Sequence, residues 1–259
     1  MSAHATDLGG RTWVALDLDG VVYQGPTAIS GAVEAVRALR AAGLQIFFVT
    51  NNSASTREQV AQRLRDLGIE CEPDRVTTSG IAAIRRARQL VQHGQPVFLL
   101  GGAGLAQECV AEELAITDEP EDAGAVIVGL DVSFNYARLT ASLAALRRGV
   151  PLVGCNRDST FPGADGVLLP GCGPLLAAVE AAAGRSADVV VGKPAAAMLT
   201  DLWASTGTLD TDWFVIGDSI DSDMGMADAA GVPGVLVGGR TRGYRNLADF
   251  TTAWLEVSQ

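Results

Sequence analysis

The stretch WVALDLDGVVYQG, Trp13 to Gly25, decides the fold, because two aspartates one residue apart close an apolar run. A strand interior disfavours Asp, whose short carboxylate competes for backbone hydrogen bonds and must be paired once buried. In an open parallel sheet, ligands bind outside the carboxyl ends of the strands, so acidic residues at such an end point to a site rather than to packing.

Outward from Trp13 to Asp17 the pattern repeats. Gln45 to Thr50 reads as a second strand, and between the two Ser30 caps a helix with Val33, Val36 and Leu39 on one face, stopping at Gly43. Thr56 with Gln59 forms a capping box for a helix carrying Val60, Leu64 and Leu67 and ending at Gly68. Nearer the C-terminus, Asp188 to Gly192, Trp213 to Gly217 and Val235 to Val237 read as strands, with a helix opening at Pro194 between the first two. This alternation predicts a parallel sheet with crossover helices.

The middle of the chain has its own set. Strands are expected over 97–100, 125–128 and 152–153, and helices over 105–114, 136–148 and 175–183. With no fixed-period repeat, low-complexity tract or Pro/Ser-rich linker, this second small α/β unit reads as inserted into the first domain. Residues 1–79 and 186–259 are then the core and 80–185 the insert, hinged near Thr78 to Gly80 and Gly184 to Ser186.

Composition narrows the function classes. The 259 residues are 48% apolar, and 19 Lys plus Arg against 30 Asp plus Glu give a net charge of −11. Such a chain repels nucleic acid and anionic membrane surfaces. MSAHATDLGGRT lacks a basic segment followed by an apolar one, and no run approaches the roughly 18 apolar residues of a spanning helix, so a cytoplasmic protein with no nucleic-acid or membrane partner is expected. Cys71, Cys109, Cys155 and Cys172 form no C-x-x-C pair and read as buried apolar residues. His4 and His93, the only histidines, offer little for a Ser-His-Asp or Cys-His mechanism, so catalysis is left to carboxylates.

The predicted strand ends carry Asp17-Leu18-Asp19-Gly20, Thr50-Asn51-Asn52, Gly192-Lys193-Pro194 and Gly217-Asp218-Ser219-Ile220-Asp221-Ser222-Asp223. Each motif alone is weak; together they converge on one crevice. Asp17, Asp19, Asp218 and Asp223 with Lys193 as the local cation leave an excess of negative charge, and unit charges ~4 Å apart repel by roughly 4 kcal/mol at an effective dielectric of 20. A divalent cation resolves this, and oxygen ligands without His or thiolate favour Mg²⁺. A phosphate ligand explains Lys193 and Thr50 as donors. Asp17 is placed as nucleophile and Asp19, two residues on, as acid and base.

The four motifs, D17-L-D-G-V-V-Y, T50-N-N, K193-P and G217-D-S-I-D-S-D223, resemble in order those of the haloacid dehalogenase superfamily of phosphatases. FVTNNS, FNYARL, CNRDSTFP, LLPGCGPLLAAVE and VVGKP extend the resemblance to the nitrophenyl-, pyridoxal- and phosphoglycolate-phosphatase branch over nearly all of Trp13 to Val237. It implies an α/β fold: a Rossmann-like parallel-sheet core domain with an inserted smaller α/β cap that selects substrate. It further implies a backbone carbonyl of Asp19 on Mg²⁺, Asp218 as a direct ligand with Asp223 near the metal shell, Thr50 and Lys193 on the transferring phosphate, and Asn51 beside it. Asn156 to Asp158 and the turn Gly171 to Gly173 fall in the region that shapes substrate choice in relatives, or are structural turns. Ser219 stands where Arg is common and Ser222 where Thr is common. Cap-to-cap dimers occur in the family, which leaves a homodimer through the cap open.

The activity expected is Mg²⁺-dependent hydrolysis of a small phosphorylated metabolite through an aspartyl-phosphate. A phosphotransferase or mutase would share that intermediate. A receiver-like signalling module also uses Asp, Thr and Lys around Mg²⁺, but needs neither Asp19 nor an insert of about 100 residues. LLGGAGLA lacks the spacing of a dinucleotide fingerprint, and Gly192-Lys193 lacks the other residues of a P-loop. Met224, Met226, Trp203, Trp213 and Trp254 read as packing residues.

Overall fold

Along Trp13–Asp17, Val14 and Leu16 face one side and Ala15 and Asp17 the other, all four buried, as a strand covered on both faces requires. The computed structural model describes residues 4, 7–163, 167–238 and 243–257. In it, Trp13–Asp17 is the middle strand of a five-stranded sheet ordered Gly234–Leu236, Trp213–Gly217, Trp13–Asp17, Gln45–Thr50, Val76–Thr78. Its two neighbours run parallel to it, with Leu16 opposite Phe48 and Ile216 and Asp17 opposite Val49. The chain therefore leaves the central strand to one side first and returns on the other, which makes its carboxyl end the topological switch point of the sheet. Val14, Leu16, Phe48, Phe214 and Ile216 join Val36 and Leu39 of Ala32–Ala41, Val60 and Leu64 of Arg57–Asp66, and Phe250 and Trp254 of Leu247–Val257 in one apolar cluster. Full burial of each large side chain contributes roughly 1.5–3 kcal/mol.

Contacts divide the chain into two units, Met1–Thr50 with Glu58–Thr77 and Lys193–Gln259, and Asn51–Arg57 with Thr78–Gly192. The second has its own five-stranded sheet, ordered Val189–Val190, Leu152–Gly154, Ala125–Val128, Val97–Leu100, Ile116–Thr117. It also has an antiparallel pair, Thr160–Pro162 with Leu168–Pro170. The division departs from the predicted 80–185 at two places. Residues 51–57 join the second unit because Ser53 Oγ accepts from the Leu130 N–H at 3.0 Å and Arg57 pairs with Glu108 and Glu112 at 3.0 and 2.9 Å. Gly104 there passes so close to Ala54 that a Cβ would lie 2.1 Å from the Ala54 carbonyl oxygen.

The second departure concerns 188–192, predicted as a strand of the first domain. Only Val189–Val190 is extended, and it pairs with Leu152–Gly154 as an edge of the second sheet, with the Val191 N–H donating to the Gly154 carbonyl at 3.1 Å. Valine favours a pleated surface without naming its partner, so the element was legible and its sheet was not. Ser30 is likewise not the cap of the first helix: Gly31 is, at φ 78, entering Ala32–Ala41 through a left-handed turn with no side-chain cap. All four cysteines are free and buried, as expected. No helix among the described residues is long and apolar enough to cross a membrane.

Candidate active site

Asp17 ends its strand with a carboxylate that is 6% exposed, and Lys193 and Asp223 are exposed by 5% and 1%. Lys193 Nζ donates to Asp17 Oδ1 at 2.5 Å and to Asp223 Oδ1 at 2.7 Å, so one ammonium bridges two buried carboxylates. It is the only lysine in the chain. Asp223 is aimed by a wide helical turn, Ile220–Met224, in which the Ser219 carbonyl accepts from the N–H groups of both Asp223 and Met224 at 3.0 and 3.1 Å. The Ser219 N–H donates in turn to Asp223 Oδ2 at 3.1 Å. Gly217 makes room for this carboxylate, since a Cβ there would meet Asp223 Cγ at 2.2 Å.

Asp218 is exposed and completes a trio with Asp17 and Asp223 in which one carboxylate oxygen from each lies within 4.8 Å of the others. Three carboxylates against one ammonium leave two negative charges in a small volume, and the donors are all oxygen. That is the environment of a hard divalent cation such as Mg²⁺, so the residues present fit such an ion. The Asp19 carboxylate is not in the trio; the sequence reading assigned this residue a backbone carbonyl ligand.

The electrostatics follow from burial and these contacts. Burial pushes the Asp17 carboxyl up from its ordinary range, Lys193 opposes the shift and Asp223 adds to it. Burial also disfavours the Lys193 ammonium, but Asp17 and Asp223 outweigh that and hold its pKa above the usual lysine value. Although its side chain reaches solvent, Asp218 is raised by loss of hydration against the neighbouring protein atoms and by Asp223, against the pull of Lys193. Asp19 is raised by burial, opposed first by Arg63 and then by Lys193.

Gly20 turns the chain away from Asp19 at φ +83, and a Cβ on it would lie 2.0 Å from Asp218 Oδ2. Gly20→Ala is therefore expected to cost about 1–3 kcal/mol through the left-handed backbone and to displace Asp218. Thermal unfolding reads the first effect, and a weaker midpoint in a Mg²⁺ titration of stability reads the second.

Thr50 is buried at the end of Gln45–Thr50, next in sequence to Val49, which pairs with Asp17. The other predicted residues belong to the second unit. The Asn51 amide donates to Asp158 Oδ1 at 3.0 Å, and the Asn156 amide donates to the Asn51 carbonyl at 2.6 Å and to Ser79 Oγ at 3.2 Å. Asn156 is 3% exposed and also accepts from the Asp158 N–H, so it braces the loop after Thr50. Gly171 and Gly173 hold the segment after Asn156 instead: their N–H groups donate to the carbonyls of Ser159 and Asp158, and a Cβ on Gly171 would lie 2.2 Å from the Asp158 oxygen. Sequence reasoning overlooked Ser79 and Arg63, whose side chains act across 28 and 38 residues. No local pattern marks either.

Residues 14–115 match the family profile described as haloacid dehalogenase-like hydrolase, and residues 190–251 match a second, HAD-hydrolase-like profile. A glycerol-3-phosphate phosphatase of Gallus gallus is 37% identical over 242 residues, covering 85% of this chain and 77% of that protein. The solved structure of a p-nitrophenyl phosphatase from Archaeoglobus fulgidus superposes with a TM-score of 0.86 at 30% identity, over 94% of this chain and 99% of that one. A glycerol phosphate phosphatase from Mycobacterium tuberculosis in complex with magnesium gives a TM-score of 0.81 at 32% identity, over 92% and 70%. With its motifs at the switch point of a parallel sheet and these relatives, the chain belongs to the haloacid dehalogenase-like hydrolases, among the phosphatases of that family.

Proposed function

We propose that the protein hydrolyses a small phosphomonoester through an aspartyl-phosphate on Asp17, with Mg²⁺ as cofactor. The observation that carries this is the buried bridge Asp17–Lys193–Asp223 beside the Asp218 carboxylate. The carboxylates of Asp17, Asp218 and Asp223 and the carbonyl of Asp19 would hold the ion, which when bound neutralises charge on the carboxylates and on the phosphoryl oxygens. Lys193 and the Thr50 hydroxyl hold two further oxygens of the substrate phosphate, leaving an Asp17 carboxylate oxygen in line with the ester bond. Asp17 attacks phosphorus, the P–O bond to the leaving group breaks, and Asp19 gives its proton to the departing alkoxide. Asp19 then takes a proton from the water that attacks the acyl phosphate, releasing inorganic phosphate and restoring both carboxyl groups.

The second unit, with Asn156 and Asp158, takes the role of substrate selection, and Asn51 holds the loop that follows Thr50. The names of the relatives make glycerol phosphate a first candidate, with nitrophenyl phosphate as reporter. Phosphate release from these esters is expected to fall at least about a hundredfold in EDTA and to return with added Mg²⁺, measured by inorganic phosphate assay. Release unaffected by chelation would overturn the reading. If an added acceptor alcohol captures the phosphoryl group in place of water, the enzyme is a phosphotransferase with the same intermediate.

A further inference from the structure

Asp19 lies beyond the end of its strand, so its position depends on whatever holds the turn that follows. Within the turn, the N–H groups of Val22 and Tyr23 donate to the Leu18 carbonyl at 2.9 and 3.1 Å, and the Gly20 N–H donates to the Tyr23 carbonyl at 2.9 Å. A short antiparallel pair, Tyr23–Gln24 with Thr27–Ala28, closes the segment. From outside, a single side chain grips it at two points. The Arg63 guanidinium, on Arg57–Asp66, lies 3.8 Å from the centroid of the Tyr23 ring and donates through Nη2 to the Gly25 carbonyl. Tyr23 is 2% exposed, and its backbone forms an isolated bridge with Asp19. Holding Tyr23 and Gly25 therefore fixes the C-terminal limb of the turn, to which Asp19 is bridged through Tyr23.

We infer that Arg63 is a positioning residue for phosphoryl transfer, holding the turn that presents Asp19 to the leaving group through its contacts with Tyr23 and Gly25. This rests on the phosphatase reading above. A cation on an aromatic face is also a common packing contact. The two roles differ in what they do to chemistry. Loss of packing lowers the amount of folded enzyme and affects every substrate alike. Loss of Asp19 placement affects substrates according to how much their leaving group needs a proton.

The test compares kcat/KM, which covers steps up to departure of the leaving group, for glycerol 3-phosphate and for nitrophenyl phosphate with Mg²⁺. An alkoxide needs the proton, whereas nitrophenolate leaves readily without it. Arg63→Ala is expected to lower kcat/KM for the alkyl ester by about 10- to 100-fold, part of the 10²–10⁴ that a general acid supplies, and for the aryl ester by less than about threefold. Arg63→Lys is expected to restore most of the loss. In an Asp19→Asn background, Arg63→Ala should have no further selective effect. The ratio of the two substrates is independent of the fraction of enzyme folded, so a destabilised variant still reports. An equal fall on both esters, or a selective fall that survives in Asp19→Asn, would overturn the assignment while leaving the phosphatase reading intact. A parent enzyme that releases phosphate from neither ester would overturn that reading and this one with it.

Discussion

Asp17→Asn is expected to abolish phosphate release, by at least about a thousandfold in kcat, while the protein folds as before; loss of a nucleophile costs up to about 10⁶ in other enzymes. The substitution is nearly isosteric and leaves the Lys193 ammonium its partner Asp223, so no buried charge is stranded. It removes the only group of the trio placed at the end of the central strand. Three measurements check it together: steady-state phosphate release, thermal unfolding, and mass spectrometry of acid-quenched enzyme for a phosphoryl adduct on Asp17. Substantial residual turnover with a normal unfolding profile would remove Asp17 as nucleophile.

Lys193→Met carries the second large effect, and it reaches stability as well as rate. The methionine fills the space but leaves Asp17 and Asp223 facing one another without their shared cation. Breaking a buried ion pair from one side costs about 3–5 kcal/mol. Without metal the variant is therefore expected to unfold at markedly lower temperature or denaturant concentration. Mg²⁺ should recover part of this, because an ion bound only by the folded state stabilises in proportion to its occupancy. Turnover is expected to stay at least about a hundredfold down even in saturating Mg²⁺, since the donor to the phosphoryl oxygens is gone. Differential scanning calorimetry with and without Mg²⁺, beside the phosphate assay, separates the two effects. Unchanged stability in EDTA would contradict the bridging role seen in the structure.

The first sheet was legible in the sequence where local chemistry is strong. Trp13–Asp17 and Gln45–Thr50 form over the predicted residues because runs of β-prone side chains stop at a polar residue in both. Asp17, Lys193, Asp218 and Asp223 could be grouped because each sits in a motif at a turn. What was not legible depends on partners distant in the chain. Val189–Val190 belongs to the second sheet through Leu152–Gly154, and residues 51–57 belong to the second unit through Ser53 and Arg57. Arg63 looks like one more basic residue on the polar side of a helix, and only the fold shows the Tyr23 ring beneath it. The cap glycine at 31 was missed for a different reason: Ser30 is the better capping residue by type, and a left-handed entry takes the position one residue later.

The bridge between Asp17 and Asp223 has a bearing on how this chain can be handled chemically. Every basic side chain apart from Lys193 and the two histidines is an arginine, so amine-directed acylation or reductive methylation has one side-chain target besides the α-amino group. That target is 5% exposed and holds its proton against two carboxylates, whereas acylation needs the neutral amine. Crosslinking or surface attachment through lysine thus has no peripheral anchor on this chain, and couplings there fall to other groups such as the carboxylates or the α-amino group. The same scarcity turns a nuisance into a probe: one isotopically labelled lysine gives one ammonium resonance, and it reports from the centre of the site without assignment.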